Sequence, residues 1–452
     1  MRLRQHLPSQ GRAGATAAAR AVASAAALAI AAAALLGACS SPAGGPSSGN
    51  DGTGDAPTTP ARPTVPDAFN DETSVYPDRV VFGQSAALSG PAAELGAGMR
   101  LGILAAFEEA NRAGGVNGRR LELRSLDDRY RPNDAVANTS TLVESGEVFA
   151  LIGAVGTPTS RSAAPVAAAA AIPYVAPFTG AGFLRDDTWT NIVNLRASYA
   201  QETEEMVERL TADLSIERIA VLFQDDSFGR AGYFGALAAL ERRDMEPVAI
   251  GFYPRNTTAI KTALLDLKAG DPEAVIMVGA YEPVGTFISW ARNTGFDPVF
   301  ITLSFVGANA LADQLGAVGE GVLVTQVVPF PFDDSTPIVA AYQAALDHVG
   351  TLHADLEQVD ADPVPGFVSL EGYIAGRLAI AGLERCGEGV TRRCFLDAIL
   401  GADQVDIDGF MLDFGDGEST TEDNQGSDAV FVTQIGPDGA YHLIDTLTST
   451  EP

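Results

Sequence analysis

The chain has 452 residues, 46% of them hydrophobic, which is ample for two α/β units with cores of their own. Its 58 acidic residues outnumber the 29 basic ones, for a formal charge of -29. That balance excludes a nucleic-acid binder, which needs a basic stripe to release counterions, and disfavours adhesion to anionic lipid through charge.

The first 50 residues run against this trend, with Arg2, Arg4, Arg12 and Arg20 and no acidic residue. They lead into 21–36, an apolar run broken only by Ser24. Sixteen residues are short for a membrane-spanning helix, which needs about 20, and suit the apolar core of an export signal. The run ends in Leu36-Gly37-Ala38-Cys39, which resembles the bacterial lipoprotein box, where the cysteine is acylated and becomes residue one. Residues 1–38 are therefore expected to be a signal peptide. Residues 39–77 are expected to form a lipidated Cys39 and a flexible linker. Of the 27 residues 40–66, 22 are Gly, Ser, Pro, Thr, Asn or Asp, too polar to fold and long enough as coil to reach roughly 30 Å.

From Arg79 the pattern alternates strand and helix. Strands are predicted at 80–85, 121–126, 149–155 and 172–176, then at 218–223, 274–278, 299–303 and 322–328. The short apolar runs among them are typical of buried parallel strands. Helices are predicted around Met99, Ile103 and Phe107, and at 135–145, 202–214, 232–243, 260–267, 283–294, 368–385 and 392–400. Between the last two lie Cys386 and Cys394. Gly387 and Gly389 mark a helix end and Thr391 an N-cap, so the two thiols flank a corner and are expected to form a disulfide, export placing them in an oxidising setting; two buried thiols are the alternative. The tail from Phe410 reads as short strands and turns. Alternating elements of this kind imply parallel sheets covered on both faces, too many strands for one sheet and suited to two.

Ligands of such sheets sit beyond the carboxyl ends of the strands. Gly156-Thr157-Pro158-Thr159-Ser160 follows one strand, with Thr157 as a plausible N-cap and Pro158 opening the helix, a seat for a carboxylate or simply a well-capped helix. Pro177-Phe178-Thr179-Gly180 follows the next, and Gly180 lets backbone come close. Asp225-Asp226-Ser227-Phe228-Gly229 and Gly279-Ala280-Tyr281-Glu282 follow later strands, with Phe228 and Tyr281 as candidate aromatic walls. Enzyme signatures are weak: there is no Gly-x-Gly-x-x-Gly, no P-loop lysine and no Gly-x-Ser-x-Gly elbow. His348 and His353 read as a solvated face, not a metal pair. We expect no enzyme, no catalytic residue, no metal and no cofactor.

These residues resemble the type I periplasmic solute-binding proteins of the leucine/isoleucine/valine-binding (branched-chain amino acid ABC transporter) class, over about 79–446. The resemblance is carried by Ala87-Leu88-Ser89-Gly90-Pro91, Asn111-x-x-Gly114-Gly115-Val116-Asn117-Gly118-Arg119, Asp127-Asp128, Ile152-Gly153, Pro177-Phe178-Thr179-Gly180, Asp225-Asp226-Ser227-Phe228-Gly229 and Gly319–Thr325 in order. It implies two Rossmann-like lobes with parallel-sheet cores and a three-segment hinge, 78–198 plus 329–402 forming lobe 1 and 199–328 plus 403–450 lobe 2. It implies a small-molecule ligand held by closure of the lobes, with Thr157 toward a carboxylate, Phe178, Thr179 and Gly180 from the adjoining loop, and Phe228 and Tyr281 as rings of the second lobe. The acids that receive an ammonium in the family stand here as Tyr199 and Ser304, and its first-lobe aromatic as Leu95. Either Glu202, Glu282 or Asp226 supplies the missing charge, or the ligand has no ammonium. The implied function is a monomeric binding lipoprotein of an ABC importer, delivering ligand to permease subunits from the outer face of the cytoplasmic membrane or the periplasm. The alternatives are a ligand-sensing subunit for a membrane signalling partner, or a binder of a carboxylate or amide.

Overall fold

In the computed structural model the described residues are Phe69, 74–186, 188–352, 363–402, 404–414 and 424–448. The expected signal peptide, Cys39, most of the linker and His353 lie outside them.

The first lobe begins with β1 (Arg79–Ala86), α1 (Ala93–Arg112), β2 (Arg120–Asp127), α2 (Pro132–Glu144), β3 (Val148–Ile152), α3 (Thr157–Ala169), β4 (Tyr174–Val175) and β5 (Ile192–Val193). Its sheet has the order β2-β1-β3-β4-β5, every pair parallel. The second lobe follows as α4 (Tyr199–Glu208), β6 (Ile219–Gln224), α5 (Ser227–Glu241), β7 (Ala249–Tyr253), α6 (Lys261–Gly270), β8 (Ala274–Val278), α7 (Tyr281–Asn293), β9 (Val299–Thr302), α8 (Ala308–Leu315) and β10 (Leu323–Gln326). The chain then returns through α9 (Pro337–Leu352), α10 (Phe367–Cys386) and α11 (Arg392–Leu400), of which α9 and α10 pack on α1. It ends in β11 (Gln404–Ile407), β12 (Phe410–Asp413), β13 (Phe431–Ile435) and β14 (Tyr441–Leu443). The second sheet has the order β14-β13-β10-β9-β8-β6-β7, parallel except where β13 and β14 join antiparallel. All residues of β3, β6 and β8 are buried, as apolar runs without alternation require in a sheet covered on both faces.

Two boundaries differ from the sequence reading. The hairpin β11–β12 lies against α10, where Arg385 donates to the Gln404 carbonyl and Arg377 pairs with Asp408 at 2.9 Å. The last passage into the second sheet therefore falls between β12 and β13, not at 403. Helix α3 is capped by Gly156 at φ 101°, which makes Thr157 its first residue and frees the Thr157 hydroxyl for other work.

At the far end of α10, Thr391 caps α11 by accepting from the Cys394 N–H at 3.0 Å, and Cys386 and Cys394 are joined in a disulfide with Cα atoms 5.9 Å apart.

The sequence motifs serve as staples. Asp127, at the end of β2, accepts from the N–H groups of Leu88 (2.9 Å), Ser89 (3.2 Å) and Arg129 (2.9 Å), so it pins the Ser-Gly-Pro loop to the neighbouring strand. Asn111 closes α1 onto β2 through both polar atoms of its amide, at 2.7 and 2.9 Å from the Leu121 backbone.

Candidate functional site

Pairing of β3 with β4 continues past both strands. The Phe178 N–H donates to Ala154 (2.8 Å) and the Gly156 N–H to Phe178 (3.2 Å). This stitching sets the two loops side by side, so the hydroxyls of Thr157 and Thr179, both wholly buried, meet at 2.7 Å. In the first turn of α3, Thr157 and Thr159 carry N–H groups that the helix itself does not satisfy, while Pro158 has none and the Ser160 N–H donates to the Gly156 carbonyl at 3.0 Å. Gly156 is required twice over: its φ is left-handed, and a Cβ there would strike the Tyr130 ring. Tyr130 and its neighbour Arg129 are also left-handed, at 57° and 53°, and Ala176 at 46° precedes the Phe178 loop.

The second lobe meets these loops at Gly180. Its carbonyl accepts from the Tyr199 N–H at 2.7 Å, and a Cβ would lie 2.7 Å from both that nitrogen and the Tyr199 ring. Ser198 and Gln201 form a capping box that opens α4 and fixes Tyr199 as its first residue. The Tyr199 hydroxyl faces Thr157 and Thr179 but has no well-formed hydrogen bond, and burial pushes it up to about 12. Its ring lies 5.4 Å from Phe228, and Phe305 centres the remaining contacts: 4.5 Å to Phe228, 5.3 Å to Phe178 and 6.1 Å to Tyr130. Rings from both lobes thus converge on the hydroxyl cluster.

Beneath them is a buried ionic network. Arg196, in the crossover before α4, is fully enclosed and places its guanidinium carbon 4.7 Å from the Phe178 ring centre. It lies 3.5 Å from the Glu202 carboxylate and 3.7 Å from that of Glu371 on α10, and it donates to the Ser304 hydroxyl. Burial opposes its charge, but Glu371 and Glu202 hold the guanidinium protonated more firmly than usual. Glu202 also accepts from the Ser304 N–H (2.9 Å) and hydroxyl (3.0 Å) and from the Thr325 hydroxyl (2.6 Å). Three elements of the second lobe, the crossover and a first-lobe helix are tied at one point.

Of the residues singled out from sequence, Thr157, Phe178, Thr179, Gly180, Tyr199, Phe228 and Ser304 come together here. Tyr281 stands apart. It opens α7, half-buried, with its hydroxyl reaching the Glu94 backbone of the first lobe, and lines a crevice of about 610 Å³ with Leu95, Gly307, Asn309 and Ser369. Leu95 packs where a side chain on Gly307 would otherwise point. A second inter-lobe crevice, about 730 Å³, is bordered by Arg131, Asp134, Asp226 and Arg255. Of the three candidate counter-charges, Glu202 is committed to Arg196. Asp226 caps α5, accepting from the Phe228 (2.9 Å) and Gly229 (3.1 Å) N–H groups, and Glu282 lies in the first turn of α7. Sequence reasoning missed Tyr130, Arg196 and Phe305. A lone charge in the otherwise uncharged stretch 191–199 was the available signal for Arg196.

The sequence profile described as periplasmic binding protein matches residues 79–440. Leu/Ile/Val-binding protein homolog 7 of Brucella abortus is 26% identical over 243 residues, which are 52% of this chain and 60% of that protein, so the match spans less than two thirds of that relative. The leucine-, isoleucine-, valine-, threonine-, and alanine-binding protein of Pseudomonas aeruginosa is 24% identical over 70% of this chain and 80% of its own length. Among solved structures, a possible leucine/isoleucine/valine-binding protein from Rhodopirellula baltica superposes with a TM-score of 0.74 at 40% identity, covering 83% of this chain and 98% of that one. These relatives are binding proteins and not enzymes.

Proposed function

The chain belongs to the periplasmic binding protein family, and from that premise we propose that it is the substrate-binding lipoprotein of an ABC importer. It captures an amino acid of the branched-chain type, or a similar small polar ligand, between two closing lobes and hands it to permease subunits. The observation that carries this reading is the meeting of the Thr157–Thr179 hydroxyl pair with rings from both lobes, Tyr130 and Phe178 against Tyr199, Phe228 and Phe305. A guest touching both sets binds the closed state in preference to the open one, and that difference alone can drive closure. Tyr281, reaching the first lobe across the separate crevice it shares with Leu95 and Gly307, acts as an outer wall.

The test is thermal-shift screening of amino acids, amides and small carboxylates. A ligand at a hundred times its Kd stabilises the folded state by about 2.7 kcal/mol. Thr157→Val and Tyr281→Ala should each weaken the best hit by about tenfold in titration calorimetry while the unliganded protein stays folded, the scale of one lost hydrogen bond or ring contact. Unchanged affinity in both would move the pocket elsewhere.

Family membership supports work outside the cytoplasm, and the apolar run ending in Leu36-Gly37-Ala38-Cys39 supports a lipid on Cys39. Replacing Cys39 by Ser should abolish labelling with a radioactive fatty acid and release the protein from membranes. Labelling that persists in the variant removes the anchor from this cysteine.

A further inference from the structure

One face of the second lobe is apolar and uncovered. Strand β7 ends its sheet, and α6 packs on one of its faces, where a Cβ on Gly251 would strike Ala263. Helix α5 packs on α4, β6 and β8, so it leaves the other face of β7 open. There Phe252 is 59% exposed, and Ile250 and Val248, two and four residues back on the same side, are each 41% exposed. Phe223 links Phe252 (6.0 Å) to Tyr233 of α5 (4.8 Å), and Tyr233 lies 5.4 Å from Phe234, which is 60% exposed. These contacts make one continuous strip. No charge interrupts 247–254, although the chain as a whole is strongly acidic.

Beside the strip is the outer edge of the sheet, where no strand pairs with β7 among the described residues. The Val248 N–H donates to Ile219 at the start of β6, so by strand alternation the amides of Ala249 and Gly251 point away from the sheet. Sheet edges are commonly guarded by charged side chains, and β7 carries none. Pro247 and Pro254 bracket it, which confines any pairing to a short stretch and disfavours an open-ended fibre.

We propose that a second copy of this chain docks on the strip, with two β7 strands running antiparallel about a two-fold axis near Gly251. Such an axis sets Ile250 and Phe252 against their own images, so one patch serves both sides. It also brings Glu246, exposed just before β7, toward the partner's Arg255, just beyond the other end, so the rim charges attract. With roughly 200 Å² for a phenylalanine, the observed exposures give a strip of about 400 Å² per copy. Two copies shield about 800 Å² of apolar surface, or about 1,200 Å² with a polar rim, the lower bound of stable interfaces. The dimer is therefore weak, with a Kd on the order of 10 μM. It departs from the monomer that the family resemblance implies, and it does not depend on where the ligand sits.

Sedimentation equilibrium of the exported chain tests this, with Cys39→Ser in every sample so that no lipid drives association. Between about 1 and 200 μM the mass should rise from one chain toward two, and no further. Phe252→Glu and Phe234→Glu should each weaken the association about thirtyfold or more, the effect of a residue central to an interface. Both side chains are largely exposed, so circular dichroism should show the fold unchanged. Leu265→Glu is the control: it is 60% exposed as well, but it lies on α6 at the opposite face, and it should leave the dimer intact. A protein that stays a single chain at every concentration overturns the proposal and leaves the strip to the permease subunits. Dimers that survive both phenylalanine substitutions, or that Leu265→Glu disrupts equally, overturn it too.

Discussion

Glu202→Ala is expected to lower the free energy of unfolding by about 3–5 kcal/mol at pH 7, the range seen when one partner of a buried ion pair is removed. Four donors converge on this carboxylate, and Arg196, itself fully enclosed, would keep only Glu371 as a counter-charge. The loss also reaches function. Glu202 stands on α4, Ser304 follows β9, Thr325 lies in β10, Arg196 is in the crossover and Glu371 is on α10 of the first lobe. The network thus sets how the crossover is seated between the lobes and holds the segment that presents Tyr199 and Phe305. Glu202→Gln separates the contributions: it keeps an acceptor for Ser304 and Thr325 but removes the charge, so it should fall between wild type and Glu202→Ala. Urea melts followed by fluorescence would measure both. A Glu202→Ala protein as stable as wild type would show that Arg196 is held by Phe178 and Glu371 alone.

The contrast between what could and could not be read in the sequence follows the same division. Strands such as β6 and β8 announce themselves because a strand covered on both faces is apolar at every position, and both were placed to within a residue or two. Strand β7 went unread because it is the edge of its sheet, with Ile250 and Phe252 exposed among buried neighbours, a pattern a short run does not distinguish from loop. The long α9 went unread as well. At the site, Thr157 and Thr179 stood out as loop hydroxyls at strand ends, yet their 2.7 Å contact joins residues 22 apart and depends on the two strands pairing in register. Phe305 carried no signal beyond its neighbour Ser304, because its importance is that three other rings meet it. Local chemistry was legible, and tertiary convergence was not.

The second expectation concerns the other carboxylate of the network. Arg196 supplies one positive charge to two buried acids, so one of the acids is in excess. Burial pushes the Glu371 carboxyl from 4.5 up to about 7, against the pull of Arg196 and with the repulsion of Glu202. In the unfolded chain the same group releases its proton near 4.5. The folded protein therefore holds a proton that the unfolded chain has lost, and stability must fall as pH rises across that interval. Glu371 contributes fully below pH 4.5, and its contribution is gone above about 7, a loss on the order of 3 kcal/mol. Asp128, in the turn that carries Tyr130, is pushed up to about 7 by burial as well and adds a slope of the same sign. Comparing wild type with Glu371→Gln isolates the network's share, since the amide keeps the shape and has nothing to titrate. The variant should be more stable than wild type at pH 8, by about 1–3 kcal/mol, and should lose less stability between pH 5 and pH 8. A variant that is less stable at pH 8 would mean that Glu371 is needed as an anion and that Arg196 serves two ionised partners at once. The same protein would then respond to Glu202→Gln more mildly than argued above, because Arg196 would still be neutralised from the first lobe.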